Sequence, residues 1–571
     1  MGLYLLDYGA GNVQSLANTL KKLGHDFQWI SSPADFGKAT SLIFPGVGAF
    51  GSAIDGLTKR GLLEPLRSYI ASGRPYFGIC IGLQVLFQSS AESPNAVGLG
   101  LIPTTVEEFT SSDKSVPHMG WNSIDFIDPE GETHEGLDES SCYYYVHSYC
   151  AKYDHTRPEA AQWVHSTTQY GQEVFVATIR KGNVFGTQFH PEKSGAAGLK
   201  LLATWLSKPE SSRTSTPPSL CVPRPPKAKD GLTKRIVACM DVRSNDDGDL
   251  VVTKGDQYDV REKAPSATDG SNPMALAART AGAVRNLGKP VALAARYYAA
   301  GADELCLMNI TSFRHSPLRD QPMLAVVRAA AEEVFVPLTI GGGIKDSVDP
   351  DGTPHSALEV AGAYFRAGAD KVSIATEAVY AVERMRARAT DGGLGDGDGT
   401  SAIETIAHAY GRQAIVVSID PRRVYVDQGY DGPYKDELVF GKPNGPEKER
   451  GKAWWYQCTV KGGREDRPLS VVQLAQGVEK LGAGEIILNS IDRDGTGLGF
   501  DTDLIALVRK SVRIPIVASS GAGRKEHFVE VFDKTGVEAA LAAGIFHRQE
   551  VGIDEVKNTL STTNINVRLQ A

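Results

Sequence analysis

No apolar run in the chain approaches the ~18 residues that a membrane span needs, and no basic segment followed by an apolar stretch opens it, so neither an anchored nor an exported protein is expected. No Lys/Arg-dense stripe is present and the net charge is −8, which argues against a nucleic-acid surface. Cysteine is sparse: the seven residues include no C-x-x-C and no zinc-like spacing. Neither a disulfide framework nor a metal cage is therefore expected, no cofactor is called for, and a reducing, cytoplasmic setting fits best. What the sequence has in excess is glycine, 60 of 571 residues, which asks for many tight backbone turns. Hydrophobic residues at 42% and charged residues at 22% are ordinary for globular chains.

The chain divides at a proline-rich stretch. Residues 207–233 hold six prolines and almost no large apolar side chain, so they cannot form a core and are expected to be a linker. Before it, residues 1–206 alternate short apolar runs (Leu3–Leu6, Ser41–Phe44, Tyr76–Ile79) with amphipathic segments (Val13–Leu23, Leu62–Ala71), which predicts a doubly wound, parallel α/β sheet. After it, residues 234–571 offer eight strand candidates separated by helical stretches: Arg235–Asp241, Glu304–Asn309, Leu338–Ile340, Lys371–Ala375, Ala414–Asp420, Glu485–Ser490, Ile514–Ser519 and Ala539–Ala543. That is the count for a (β/α)8 barrel. Two segments without periodicity, near 389–401 and 429–452, are expected as surface insertions. The second half of the barrel echoes the first: the segment at Ala299–Leu305 returns at Lys480–Ile486, and Asp241 returns as Asp420, each about 180 residues on. Two half-barrels with paired positions across one mouth follow.

Gly78-Ile79-Cys80-Ile81-Gly82 lies between an apolar run and a predicted helix, LQVLF. A nucleophile on such a turn is held exposed at the helix start. Further on, Gly186-Thr187-Gln188-Phe189-His190-Pro191-Glu192 brings a histidine and a carboxylate out together at a strand end, which supplies a base and the group that orients it. Pro45-Gly46-Val47-Gly48-Ala49-Phe50-Gly51 contains G-x-G-x-x-G, but no acid marks the end of the next strand as a dinucleotide fold would require.

In the barrel, Asp241 and Asp420 end strands 1 and 5 and face each other, an arrangement suited to general acid–base work. Glycine-rich turns after strands 3 and 4 (Gly341-Gly342-Gly343 with Thr376) and after strands 7 and 8 (Gly521, Gly523, Ala543 and Gly544) offer two N–H-rich nests for a ligand with phosphate at both ends. Lys254 follows DLVVT and is placed to add a mobile cation over one end. Arg235, Glu304, Lys371 and Glu485 begin strands 1, 2, 4 and 6, so two cations and two anions can meet in a ring at the barrel floor.

The motifs together carry a resemblance. LLDYGAGNVQSL, GICIGLQVLF, HMGWN and QFHPEKSG resemble the class I glutamine amidotransferases, and KRIVACMDV, VVTKG, IGGGI, GADKVSIAT, SIDRDGTG and INVRL resemble the cyclase of the imidazole glycerol phosphate synthase family. The likeness spans nearly the whole chain apart from the linker and insertions. It implies a Cys80–His190–Glu192 triad, oxyanion donors at Gly46, Val47 and Gly48, and a glutamine pocket with Gln84, His147, Ser148 and Tyr149. In the barrel it implies Asp241 and Asp420 as the catalytic pair, Lys254 as the loop lysine, and Asp494 as an acid near one phosphate. The ring becomes a gate for ammonia. The implied partners are glutamine and a bisphosphorylated aminoimidazole ribonucleotide, handled by a monomer. Asn309, Ala375 and Ser520 depart from the family pattern and bear on phosphate contacts. A glutaminase fused to another bisphosphate-binding barrel is the alternative, though a Schiff-base lysine at a strand end would then be wanted.

Overall fold

The computed structural model describes the chain except residues 1, 10, 111–112, 129–133, 210–212, 214–223, 228–229, 245–249, 254–286, 311–321, 390–392, 445–446 and 570–571. Lys254 therefore lies outside the described residues. No helix among them is long and apolar enough to cross a membrane.

The N-terminal sheet has eight strands. Gln28–Ile30, Gly2–Leu6, Ala39–Phe44, Tyr76–Ile79 and Val184–Thr187 run parallel, in that order. Glu173–Lys181, Val164–Tyr170 and Asp125–Phe126 extend the sheet antiparallel, which the parallel expectation did not include. Successive residues point to opposite faces. Tyr4, Leu6, Leu42 and Phe44 accordingly join one apolar cluster, and Leu5, Ile43, Phe77 and Ile79 the other, so helices cover both faces. The amphipathic segments fold as helices Gln14–Lys22 and Leu63–Ala71. The helix expected over LQVLF is shorter: it spans Ile81–Gln84, and strand Phe87–Ser90 follows.

The second half closes into an eight-stranded parallel barrel. Its strands are Arg235–Ser244, Glu304–Asn309, Leu338–Gly341, Lys371–Ile374, Ile415–Ile419, Glu485–Asn489, Ile516–Ser519 and Ala539–Ala542, and strand 8 pairs with strand 1 to complete the ring. Val237, Cys239, Cys306, Val416, Ile487, Val517 and Leu541 fill the lumen. Asp241 does not end strand 1. The strand runs on to Ser244 because it also forms an antiparallel hairpin with Leu250–Thr253. After strand 5, residues 421–470 form a four-stranded antiparallel sheet (Pro421–Val426, Val439–Phe440, Ala453–Val460, Glu465–Ser470). The segment expected as a surface insertion near 429–452 contributes the short strand Val439–Phe440, which has too few residues to show alternation.

Within the linker, Arg213 and Arg224 lie against the N-terminal half, while the carbonyls of Gly231 and Leu232 accept from Asn566 of the barrel half at 2.9 and 3.0 Å. Arg213 donates to the carbonyl of Trp205 at 3.0 Å, and Arg224 donates to the carbonyl of Ile127 at 3.0 Å and to Asp125 at 3.1 Å. The two halves also meet directly: Val116 N–H donates to the carbonyl of Arg513 at 2.9 Å and Gly195 N–H to that of Phe335 at 3.0 Å.

Candidate active sites and the ring between them

Cys80 sits between a strand and a helix with φ +49° and ψ −99°. A side-chain-bearing residue in that region is strained, and such strain gathers at functional sites. The flanking glycines are demanded by close approach: a Cβ on Gly78 would lie 2.3 Å from the Gly82 carbonyl oxygen, and one on Gly82 2.0 Å from that of Phe44. His190 Nδ1 and Glu192 Oε1 are 2.8 Å apart, both buried. Burial works against a charged His190 ring, but Glu192 and Cys80 outweigh it and raise its proton affinity well above the ordinary value. A base oriented by a carboxylate and electrostatically linked to a thiol can activate that thiol as a nucleophile.

The remaining pocket residues form a connected set. Gln84 Nε2 donates to the Tyr149 carbonyl at 3.0 Å and to Gln188 Oε1 at 3.1 Å, and Gln188 Nε2 donates to the Cys80 sulfur at 3.4 Å. His147 Nδ1 lies 2.8 Å from the Tyr149 carbonyl oxygen. Burial pushes His147 down to about 3 and Tyr149 up to about 12. Phe109 N–H donates to the Ser148 carbonyl at 3.0 Å. Gly46, Val47 and Gly48 lie beside this set: Ile81 N–H donates to the Gly46 carbonyl at 3.4 Å. Glu92, which carries no sequence signal, accepts from Phe50 N–H at 2.6 Å, and burial raises its pKa.

At the barrel mouth, Asp241 stands opposite Met308 in register and Asp420 follows strand 5. Asn489, at the end of strand 6, donates to Asp420 Oδ1 at 2.7 Å and to Ser418 Oγ at 3.0 Å. Its place at a strand end was the available signal. Thr376 opens helix Thr376–Ala387, and its hydroxyl accepts from Lys461 N–H at 3.1 Å. Gly343 has φ +80°. Gly521 and Gly523 pack on the loop after strand 6, where Cβ atoms would lie 2.3 Å from the carbonyl oxygens of Gly499 and Gly497. One donor of that nest is engaged, since Gly523 N–H donates to His527 Nδ1 at 3.1 Å. Ser520 adopts φ +72°, a conformation glycine takes freely and serine rarely. Asp494 belongs to the same loop after strand 6, its N–H bonded to the Ser490 carbonyl at 2.9 Å. Ala543 caps the four-residue helix Gly544–His547, too short to add a strong dipole.

At the floor, the four strand-start charges close a ring. Arg235 bonds Glu304 at 2.8 Å and Glu485 at 2.5 Å; Lys371 bonds each of the same carboxylates at 2.6 Å. All four are buried. Burial alone would raise Glu485, but Arg235 and Lys371 hold it below the usual carboxylate range. Lys371 Nζ also donates to the sulfur of Met119, a residue of the N-terminal half, at 3.5 Å. The adjacent Asp370 reaches back as well: it accepts from Asn12 Nδ2 and pairs with buried Lys193, both at 2.8 Å. Lys193 directly follows Glu192 in chain order through a short 3-10 turn, Pro191–Lys193. Gln188, Lys193 and Asp370 are not among the residues singled out from sequence, although Lys193 and Asp370 each adjoin one and Gln188 lies two positions from His190.

The family model described as glutamine amidotransferase class-I matches residues 4–207, and the one described as histidine biosynthesis protein matches residues 235–393 and 398–552. The chain is 51% identical over 570 residues to the imidazole glycerol phosphate synthase hisHF of Emericella nidulans, covering 99% of this chain and 98% of that one. It is 50% identical to the protein of the same description from Schizosaccharomyces pombe, with 99% of each covered. It is also 50% identical to the chloroplastic one of Arabidopsis thaliana, with 99% of this chain and 89% of the other covered.

Proposed function

The chain belongs to the imidazole glycerol phosphate synthase family in its fused, bifunctional form, and from that premise we propose how its residues divide the work. It is an enzyme of histidine biosynthesis that couples a glutamine amidotransferase to a cyclase. At the first site Cys80 attacks the side-chain amide of glutamine, and His190 takes the thiol proton and returns it to the departing ammonia. Glu192 orients the ring, and N–H groups of the Gly46–Gly48 segment stabilise the oxyanion. Water then releases glutamate from the thioester. Gln84, His147, Ser148 and Tyr149 line the glutamine pocket, with the Glu92 carboxylate available to the substrate ammonium.

At the second site ammonia attacks phosphoribulosyl-formimino-AICAR-phosphate. Asp241 and Asp420 move protons as the ring closes with loss of the carbonyl oxygen as water and the bond to AICAR breaks, leaving imidazole glycerol phosphate. Gly343 and Thr376 hold one phosphate; Gly521, Gly523, Ala543 and Gly544, near Asp494, hold the other. Lys254 supplies a cation to the ligand. Ammonia passes from Cys80 through the ring of Arg235, Glu304, Lys371 and Glu485 into the lumen. The chain works as a cytoplasmic monomer.

The observation that carries this reading is the Lys371–Met119 contact, because it sets the N-terminal half directly on the charged floor of the barrel. Cys80→Ala tests it: glutamine-dependent product should vanish while product from ammonium salt at alkaline pH persists. Equal loss of both would refute the division of labour.

A further inference from the structure

Arg423 stands three residues after Asp420, in strand Pro421–Val426 of the sheet that follows strand 5. Its side chain is buried and forked between two buried carboxylates. Nε and Nη2 both donate to Asp501 Oδ2, at 3.2 and 2.8 Å, and Nη1 donates to Glu449 Oε1 at 2.8 Å. The guanidinium carbon lies 4.5 Å from the ring centroid of Trp454 and 5.9 Å from that of Tyr456. The Arg423 backbone N–H donates to Asp492 Oδ2 at 2.8 Å. Asp492 and Asp501 lie on either side of Asp494 after strand 6, and Glu449 belongs to the insertion near 429–452.

Asp501 closes the loop after strand 6. It caps helix Thr502–Ser511 by accepting from Leu504 N–H at 3.3 Å, and it also accepts from the Tyr456 hydroxyl at 3.0 Å. The Ser490 hydroxyl donates to it at 3.2 Å, so the two ends of segment 491–500 are bonded to each other. From within that segment Ile491 N–H donates to the Pro421 carbonyl at 3.2 Å, and Gly499 N–H to the Gly521 carbonyl at 2.8 Å. A continuous set of bonds therefore runs from the residue after Asp420, past Arg423 and Asp501, to the turn that holds Gly521 and Gly523. The cation is the joint in that set. Without it two buried carboxylates would be left uncompensated. A lysine ammonium keeps the charge but lacks the planar fork that engages two carboxylates in fixed directions.

We propose that Arg423 is a positioning residue for cyclisation: by joining Asp501 to Glu449 it fixes the loop after strand 6, and with it Asp494 and the Gly521–Gly523 turn, relative to Asp420. The insertion near 429–452 then serves as a buttress of the barrel mouth through Glu449. The proposal rests on the roles given above to Asp420, Asp494 and that turn.

The test is steady-state cyclisation by the full chain with ammonium salt, which leaves the glutaminase out, together with calorimetric binding of imidazole glycerol phosphate. Arg423→Lys should lower kcat about 10-fold and raise KM for the ribonucleotide about 3- to 10-fold, since small misplacements of reacting groups are costly. Product affinity should weaken by a factor similar to the rise in KM. Glu449→Gln turns a charge-assisted bond into a neutral one and should shift the same quantities in the same direction by about 2- to 5-fold. It leaves the Asp501 contact in place, so its result stands even where Arg423→Lys does not fold. A lowered Tm with kcat, KM and product affinity unchanged in Arg423→Lys would show a purely structural arginine and overturn the proposal. Unchanged constants in Glu449→Gln would overturn the buttress. Asp420→Asn in the same assay should lower kcat alone; a normal kcat there would overturn the role of Asp420, a result distinct from failure of Arg423.

Discussion

Two neutral side chains help to hold Asp420. Asn489 donates to its carboxylate at 2.7 Å, and the Thr459 hydroxyl donates to its backbone carbonyl at 2.7 Å. A carboxylate oriented by an amide donor at the barrel mouth suits proton transfer. Asp241→Asn or Asp420→Asn should lower cyclisation with either nitrogen source by ~10²-fold or more while substrate still binds. Asn489→Ala, which removes only the orienting amide, should cost about 10-fold in kcat with KM little changed. Normal turnover with ammonium in both aspartate variants would end the acid–base assignment. Buried histidines set a different limit. Burial pushes His147 and His165 down to about 3, from an ordinary value near 6.5. Between those values the unfolded chain binds protons that the folded chain does not, so stability falls as pH drops through that window and is unaffected above it. Tm should decline steadily from pH 6.5 to 4, and His165→Asn should flatten part of the slope; a Tm independent of pH would contradict this.

Elements were legible in the sequence to the extent that their patterns are local. The eight barrel strands fall where apolar runs and turn residues mark them, and the ring charges could be placed because each begins a strand and points inward. Cys80 and Asp420 were visible because a strand-end position leaves a side chain at the top of a sheet. Hidden were features fixed by distant partners. Asn12 bonding Asp370, or Lys193 pairing with it, leaves no periodic trace. The two-residue strand Val439–Phe440 is too short for alternation to register. The prolines of 207–233 point to a linker, and composition does not convey that Arg224 meets Asp125 or that the Asp230 carboxylate accepts from Gly171 N–H at 3.0 Å. These contacts lie on the N-terminal half, so cleaving between Arg213 and Arg224 should leave the halves co-eluting and both activities coupled. Separation of the halves would show that the covalent tether, not the interface, holds them together.

Across the whole molecule, the N-terminal half meets the barrel over the charged ring at its floor. A ring of paired charges removed from water is held in place by its partners. Deleting one member leaves an unbalanced carboxylate and an opening, so ammonia released at Cys80 should escape before it reaches Asp241 and Asp420. The decisive measurement is the ratio of imidazole glycerol phosphate formed to glutamate released, with glutamine as the nitrogen source, in the intact chain and in Lys371→Ala. The ratio should be near one in the first and clearly lower in the second, with ammonium-dependent cyclisation retained in both. A ratio near one in Lys371→Ala would mean that ammonia does not travel through the ring.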